Sequence, residues 1–434
     1  MKAAILTGGK GLRLGALTKA TPKPLIKIGK KPVIAHQIGL LKRYGIKEVW
    51  LLSGYLGKQL EDYLGDGKKW GIKIHYFQEN KPLGTAGAIK TLEKEIKEDF
   101  LVFSGDVMMD FDIGRFVRWH EKKKGIASFV VHPNNHPFDS DLVETDKEGK
   151  IISLLKKPHP AGLTFHNLSI ASGYIFSPEI FFYIPKNRKT DIEKDILPRL
   201  LRAKKKIYIY NTPEYFKDMG TPKRLKEVKR DYAQGKISKF NLKNKRKAVF
   251  LDRDGVINKE DDHLSKIEDF KIYGFAAKAI KKINNSDYLA IIVTNQPMIA
   301  KGFILESDLN EMHKKLETEL GRAGAKIDAI YICPHHPEKG FFGERPKLKI
   351  KCDCRKPKPG LLFKARKEFN LNLKKSYMIG DQTRDILAGK RAGCKTILVK
   401  TGYGGKDNLF SVKPDFIANN LFEAVRIINP AEKL

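Results

Sequence analysis

Four residues with soft donor atoms fall in two tight pairs, Cys333-x-His335 and Cys352-x-Cys354, and they include three of the chain's four cysteines. Nothing else in the chain constrains its fold so narrowly. The stretch between the pairs is polar and basic, so it cannot fold around a core of its own. Its shape must come from whatever the four ligands hold together. Zn²⁺ takes a set of three thiolates and one imidazole tetrahedrally in closed structural sites, and such binding is itself folding energy. A chance cluster in a surface loop is the plainer reading, but the paired spacing argues against it. Arg355-Lys356-Pro357 follows the last ligand directly, so the clip would hold two cations in place. Cys394 stands alone and reads as a small buried hydrophobe.

A chain of 434 residues has room for two or three domains, each with its own core. Lys and Arg outnumber Asp and Glu by 83 to 50, a net charge of +33. The excess is spread along the chain and forms no stripe interleaved with aromatics. It therefore fits phosphorylated small substrates better than nucleic acid. No apolar run is long enough to cross a bilayer, so no membrane partner is expected. The start, MKAAILTGG, lacks a signal-peptide layout, and cysteines at metal spacing suit a reducing, cytoplasmic setting.

Alternating strand-like and helix-like runs predict an α/β protein of two doubly wound domains. In the front half, strands are expected at Lys2–Thr7, Glu48–Ser53, Lys73–Phe77 and Phe100–Ser104. Helices are expected at Val33–Tyr44, Gly84–Glu95 and Pro222–Gln234. A polar, basic stretch at 235–246 reads as a linker between domains 1–234 and 247–434. A second series then begins, with strands at Lys247–Leu251, Leu289–Thr294, Ala329–Ile332, Ser376–Ile379 and Thr396–Val399. Its helices are expected at Phe275–Ile283, Ser307–Arg322, Gly360–Phe369 and Thr383–Ala392.

The first strand runs into GGKGLRLGALTKATPKPL. Glycines 8, 9 and 11 let backbone amides approach phosphate oxygens, and Arg13 and Lys23 add positive charge. This loop with its Pro22-Lys23-Pro24 frame resembles the sugar-1-phosphate nucleotidylyltransferases, over about residues 1–232. Pro82-Leu83-Gly84-Thr85-Ala86-Gly87 resembles that family's nucleoside-binding loop. The resemblance implies a Rossmann-like mixed sheet and Mg²⁺ at Asp106 and Asp218, which follow Gly105 and precede Met219-Gly220. It also implies sugar-phosphate contacts from Lys157 and Gly173. The chain departs from the family at Leu12, at Lys156-Lys157-Pro158 and at Ala171-Ser172-Gly173.

The strand Lys247–Leu251 delivers DRDGVIN at its carboxyl end, where α/β sheets keep their sites. Asp252 and Asp254 at strand spacing point to one side. One carboxylate can attack phosphorus while the other moves a proton to and from the oxygens. The Asp-x-Asp-Gly motif resembles the haloacid-dehalogenase-like phosphatases, over about residues 246–434. That resemblance implies Thr294 and Asn295 on the phosphate, Lys356 stabilising an aspartyl phosphate, and Mg²⁺ at Asp252, Asp254 and Asp381, with Asp385 behind them. The paired ligands, read with CPHHP and CDCRKPKPG, resemble the heptose 1,7-bisphosphate phosphatases and the related histidinol-phosphate phosphatases. There Zn²⁺ at Cys333, His335, Cys352 and Cys354 would position Arg355 and Lys356. Pro297-Met298 and Gln382 depart from the usual pattern.

Together the two resemblances imply consecutive steps: removal of the C7 phosphate from D-glycero-D-manno-heptose 1,7-bisphosphate, then nucleotidyl transfer to heptose 1-phosphate. GTP is the expected donor by analogy with the heptose 1-phosphate guanylyltransferases, and the expected partners are small molecules. Three other readings compete. The rear half could act on histidinol phosphate, the front half could be a nucleotide-sugar sensor without turnover, or the chain could process nucleic-acid ends.

Overall fold

The computed structural model describes residues 1–9, 11–260 and 264–429. The chain divides into two compact units. One comprises Met1–His132, Asp141–Lys156 and Leu168–Asn241; the other comprises Pro133–Ser140, Lys157–Asn167 and Leu242–Leu434.

The first unit is built on a nine-stranded mixed sheet. Lys2–Leu6 lies at its centre, parallel to Phe100–Ser104 on one side and to Glu48–Ser53 on the other. Lys73–Gln78 adds a further parallel strand, and Ser169–Phe176 runs antiparallel to Phe100–Ser104. The central strand is apolar at successive positions, with Ala3, Ala4 and Ile5 fully buried, because helices cover both faces. Each such Ile, Val or Phe contributes about 1.5–3 kcal/mol of burial. Off the main sheet, Val107–Asp110 pairs antiparallel with Tyr215–Asp218. This two-stranded ribbon sets Asp218 opposite Val107, next to Asp106.

The second unit has a six-stranded, wholly parallel sheet. Lys247–Leu251 lies between Tyr288–Asn295 and Tyr377–Gly380, with Leu251 opposite both Ile292 and Ile379. Three carboxyl ends are thereby brought level, and Asp252, Thr294 and Asp381 emerge there together. Ala329–Cys333 pairs next to Tyr288–Asn295, with Cys333 opposite Asn295.

The division differs from the sequence boundaries in two ways. Two excursions, 133–140 and 157–167, belong to the second unit, where the Phe138 and Phe165 rings meet edge-on at 5.2 Å and Phe165 N donates to Thr318 Oγ1 at 2.9 Å. The stretch expected to be a linker is also structured. It contains the helix Lys236–Lys239 and buries Ile237 and Leu242, two apolar residues that its many lysines conceal from a composition reading. Strand edges agree with expectation within one residue. The short strand Phe416–Ala418 and the helix Leu421–Ile428 were not anticipated.

Candidate active sites

In the first unit, a cavity of about 590 Å³ opens at the carboxyl end of the central strand. Gly8, Gly9, Lys23, Gly84, Thr85 and Asp106 line it. Lys23 Nζ lies 2.9 Å from Asp106 Oδ2, and Ser104 Oγ donates to Asp106 Oδ1 at 2.7 Å. Gly11 has φ of +71°, and a Cβ there would come within 2.9 Å of the Lys23 side chain. The glycine thus lets Lys23 lie flat beneath the loop. At the other wall, Gly84 (φ +73°) sits where a Cβ would meet Thr190 O at 2.4 Å. Thr85 is strapped to the same segment, its Oγ1 accepting from Ile192 N at 2.8 Å.

Arg13 and Asp218 lie off this cavity but beside one another. A Cβ on Gly220 would stand 2.8 Å from the Arg13 guanidinium, and Arg224 binds Asp218 Oδ2 at 2.6 Å. Burial pushes the Asp218 carboxyl up, but the Gly220 N–H and Arg224 outweigh it and hold it below the usual range. Met219 N donates to Asp106 O at 3.0 Å, so the two aspartates share one corner of the unit. Two further expected residues do not line the cavity. Lys157 falls in the second unit, its Nζ 2.8 Å from Asp139 O and 3.0 Å from Asp139 Oδ1. Gly173 is consumed in sheet pairing opposite Phe103.

Three charged lining residues escaped the sequence reading: Glu79, Lys189 and Asp191. Glu79 accepts from Leu83 N at 3.1 Å and is pushed up by burial. Its place just ahead of Pro82-Leu83-Gly84-Thr85 was the available signal. Lys189 and Asp191 arrive from a distant segment with no local motif.

In the second unit a cavity of about 270 Å³ contains Asp252, Asp254, Thr294, Asn295, Arg355 and Lys356. Lys356 Nζ is fully enclosed, 2.8 Å from Asp252 Oδ2 and 2.7 Å from Asp385 Oδ1. Asn295 fixes that lysine's backbone, accepting from Lys356 N at 3.0 Å and donating to Lys356 O at 3.2 Å. Oxygens of Asp252, Asp381 and Asp385 lie within 4.8 Å of one another, all buried. Burial, then the Asp385 charge, pushes Asp252 up to about 7, against the pull of Lys356. Burial, then the Asp385 and Asp252 charges, pushes Asp381 up to about 10, again against the pull of Lys356. Asp381 Oδ1 is buried without a hydrogen-bond partner. Three crowded carboxylates, one with an orphaned oxygen, fit a divalent cation.

Asp254 does not join that cluster through its side chain. Arg253 grips it at 2.8 and 3.0 Å, Gln296 Nε2 donates to it at 2.8 Å and Asn258 Nδ2 at 2.9 Å. Arg253 was read only as the spacer of the motif, yet it is 1% exposed and orients the second carboxylate. Gly255 (φ +74°) leaves room for Asp381, whose Oδ2 would stand 2.3 Å from a Cβ there.

The four soft ligands converge as the spacing predicted. Cys333 Sγ is 3.6 Å from Cys352 Sγ and 3.3 Å from Cys354 Sγ, and His335 Nδ1 is 3.2 Å from Cys354 Sγ. A tetrahedral ion with bonds of about 2.3 Å to sulfur has S–S edges of about 3.8 Å, so the set can hold a metal ion after slight expansion. The last ligand leads directly to Arg355 and Lys356 at the cavity.

The family model for nucleotidyl transferases matches residues 2–235, more than half of the chain, and a HAD-hydrolase-like model matches residues 353–424. The D-glycero-alpha-D-manno-heptose-1,7-bisphosphate 7-phosphatase of Photorhabdus laumondii is 40% identical over 186 residues, covering 43% of this chain and 98% of that protein. The chain belongs to both families. Its nucleotidyl transferase unit is 33% identical to the UTP–glucose-1-phosphate uridylyltransferase of Synechocystis, a match covering 51% of this chain and 60% of that protein. It is 31% identical to the mannose-1-phosphate guanylyltransferase of Mycobacterium tuberculosis, covering 54% and 65%. The chain thus spans less than two thirds of these transferase relatives. No helix among the described residues is long and apolar enough to cross a membrane.

Proposed function

We propose that the chain removes the C7 phosphate of a D-glycero-D-manno-heptose 1,7-bisphosphate and then transfers a nucleotidyl group, from GTP, to the heptose 1-phosphate left behind. The observation that carries this reading is the pairing of the two families in one chain. A phosphatase acting on the 7-position leaves an anomeric phosphate, which is what a sugar-phosphate nucleotidyl transferase consumes.

In the phosphatase unit, Asp252 attacks the C7 phosphorus and the sugar oxygen leaves with a proton supplied by Asp254. Water then attacks the aspartyl phosphate, giving its proton back to Asp254 and releasing inorganic phosphate. Lys356 neutralises charge on Asp252 throughout, and Arg253 and Gln296 aim Asp254. Mg²⁺ held by Asp252 and Asp381 beside Asp385 would offset the charge of acids and phosphate facing each other. In the transferase unit, the Gly8–Gly9 backbone and Lys23 neutralise the triphosphate while a sugar-phosphate oxygen attacks the α-phosphorus and pyrophosphate leaves. Asp106 and Asp218 suit Mg²⁺ that binds mainly through substrate phosphates. Zn²⁺ is the ion the Cys333–His335–Cys352–Cys354 set fits, with an architectural role.

Phosphate release tests the substrate directly. Heptose bisphosphate is expected to exceed histidinol phosphate in kcat/KM by at least about 100-fold. The reverse order would sink the reading. Replacing Cys354 with Ser is expected to empty the zinc site by elemental analysis and to lower phosphatase activity about 10- to 100-fold while sparing nucleotidyl transfer. Unchanged phosphate release in zinc-free protein would refute the architectural role.

The crowded carboxylates give a pH dependence with a definite sign. Without an ion, Asp252 and Asp381 titrate near about 7 and about 10 in the folded chain, against about 3.9 unfolded. The folded state then holds extra protons above pH 4, so stability falls as pH rises through those values. Mg²⁺ removes the penalty. Its stabilisation, read as a rise in Tm, is therefore expected to be larger at pH 8 than at pH 5.5; an equal rise at both would contradict the cluster as its site.

A further inference from the structure

Behind the proton-donating carboxylate of the second unit stands a buried imidazole that does not line the cavity. His313 lies on the helix Glu306–Arg322 and is 7% exposed. Its Nε2 is 3.4 Å from Arg253 Nη1, a long hydrogen bond. Arg253 is shared out atom by atom. Nε donates to Asp254 Oδ1 at 3.0 Å. Nη2 donates to the two Asp254 oxygens at 2.8 and 3.0 Å and to Gln296 Oε1 at 3.1 Å. Nη1 has His313 as its one acceptor among the described residues. The guanidinium also lies over the Phe270 ring, its Cζ 5.4 Å from the centroid. A guanidinium has five N–H donors and no acceptor. His313 Nε2 must therefore accept, so the imidazole is neutral with its proton on Nδ1. Burial, then the Arg253 charge, holds it well below its ordinary value, in agreement with the neutral form. The helix that carries His313 is fixed in turn. Phe165 N donates to Thr318 Oγ1 at 2.9 Å, His166 Nδ1 stands 2.5 Å from Glu317 Oε2, and His166 Nε2 is 2.9 Å from Asn310 Oδ1.

We propose that His313 is a positioning residue for the phosphatase: by accepting from Arg253 Nη1 it sets the guanidinium so that the opposite edge holds Asp254 where it passes its proton to the leaving oxygen. This rests on the reading of the second unit as a phosphatase in which Asp254 is the acid. His313 moves no proton itself. Without that acceptor, a buried charged donor is left unfilled, which is costly. Nη1 then turns toward Gln296 Oε1 or Asp254 itself, and the edge that grips Asp254 rotates with it. The loss falls on proton delivery to the leaving group, and the attack by Asp252 is spared.

The test compares wild type, His313→Leu and His313→Gln on two kinds of substrate. The alkoxide leaving from heptose 1,7-bisphosphate needs a proton, whereas the phenolate of p-nitrophenyl phosphate leaves without one. In both, kcat/KM covers only the steps up to the aspartyl phosphate. His313→Leu fills much of the volume but accepts nothing. It is expected to lose about 10- to 100-fold in kcat/KM on heptose bisphosphate and no more than about threefold on p-nitrophenyl phosphate. His313→Gln, whose Oε1 can take the same N–H, should return the ratio of the two substrates to within about threefold of wild type. The ratio cancels any misfolded fraction, so partial unfolding cannot imitate the effect. Equal loss on both substrates, no loss on either, or Gln behaving like Leu overturns the positioning role. If wild type ignores heptose bisphosphate but hydrolyses fructose 1,6-bisphosphate, the proposed function falls, and the same ratio taken with the fructose substrate still decides His313. Failure on all three substrates overturns both.

Discussion

Asp252→Asn is expected to abolish phosphate release, by at least about 10⁴-fold, while nucleotidyl transfer to supplied heptose 1-phosphate stays within about twofold of wild type. The amide matches the carboxylate in shape but is not a nucleophile. Asp385, buried against Lys356 at 2.7 Å, does not line the cavity, and Asp254, aimed by Arg253 at 2.8 Å, is the proposed proton donor. A 10⁴-fold loss corresponds to about 5.4 kcal/mol of barrier, within reach of deleting a covalent nucleophile. The fold should survive, because the change removes a charge that burial and Asp385 already penalise, and it leaves Lys356 its second partner. A melting temperature no lower than wild type at pH 8 without Mg²⁺ is expected to accompany the loss. Loss of both activities would instead show that the two sites depend on one another.

The mirror experiment is Lys23→Ala, expected to lower nucleotidyl transfer about 10³-fold and to leave phosphate release within about twofold. Lys23 lies along the glycine loop with a side chain 12% exposed and its Nζ on Asp106. In the proposed transfer, charge develops on phosphate oxygens that the loop would surround. A fixed cation in such a pocket contributes several kcal/mol. Truncation also leaves Asp106 without its cation, with only Ser104 Oγ still donating to it, so added Mg²⁺ should recover only part of the activity. Pyrophosphate release, measured with phosphate release on the same preparation, separates the two variants. A Lys23→Ala protein with full transfer activity would remove the glycine loop from the reaction.

Much of this was legible in the sequence because parallel strands buried on both faces are written as continuous apolar runs. Lys247–Leu251 ends at Asp252 and Tyr377–Gly380 ends at Asp381, so sheet register alone carries both acids to one place. The four soft ligands were legible for a related reason: their spacing constrains them whatever the intervening loop does. What stayed hidden depended on contacts distant in sequence. The ribbon Val107–Asp110 with Tyr215–Asp218 consists of two four-residue strands, too short to show periodicity. Lys157 was placed at the sugar by a tripeptide motif, yet the structure ties it to Asp139 within an excursion that belongs to the other unit. Arg253 looked like a spacer because its partner is its own neighbour in sequence, and only burial reveals its work.

The central claim is that one chain performs two consecutive steps, and the direct measurement is mass spectrometry of products from heptose 1,7-bisphosphate offered with Mg²⁺ and all four nucleoside triphosphates at once. The account predicts inorganic phosphate first, then pyrophosphate and GDP-heptose in equal amounts, with no nucleotide joined to a sugar that still carries its C7 phosphate. Phosphate release with no nucleotide–sugar from any of the four donors, or a nucleotide–sugar that retains the C7 phosphate, would contradict it.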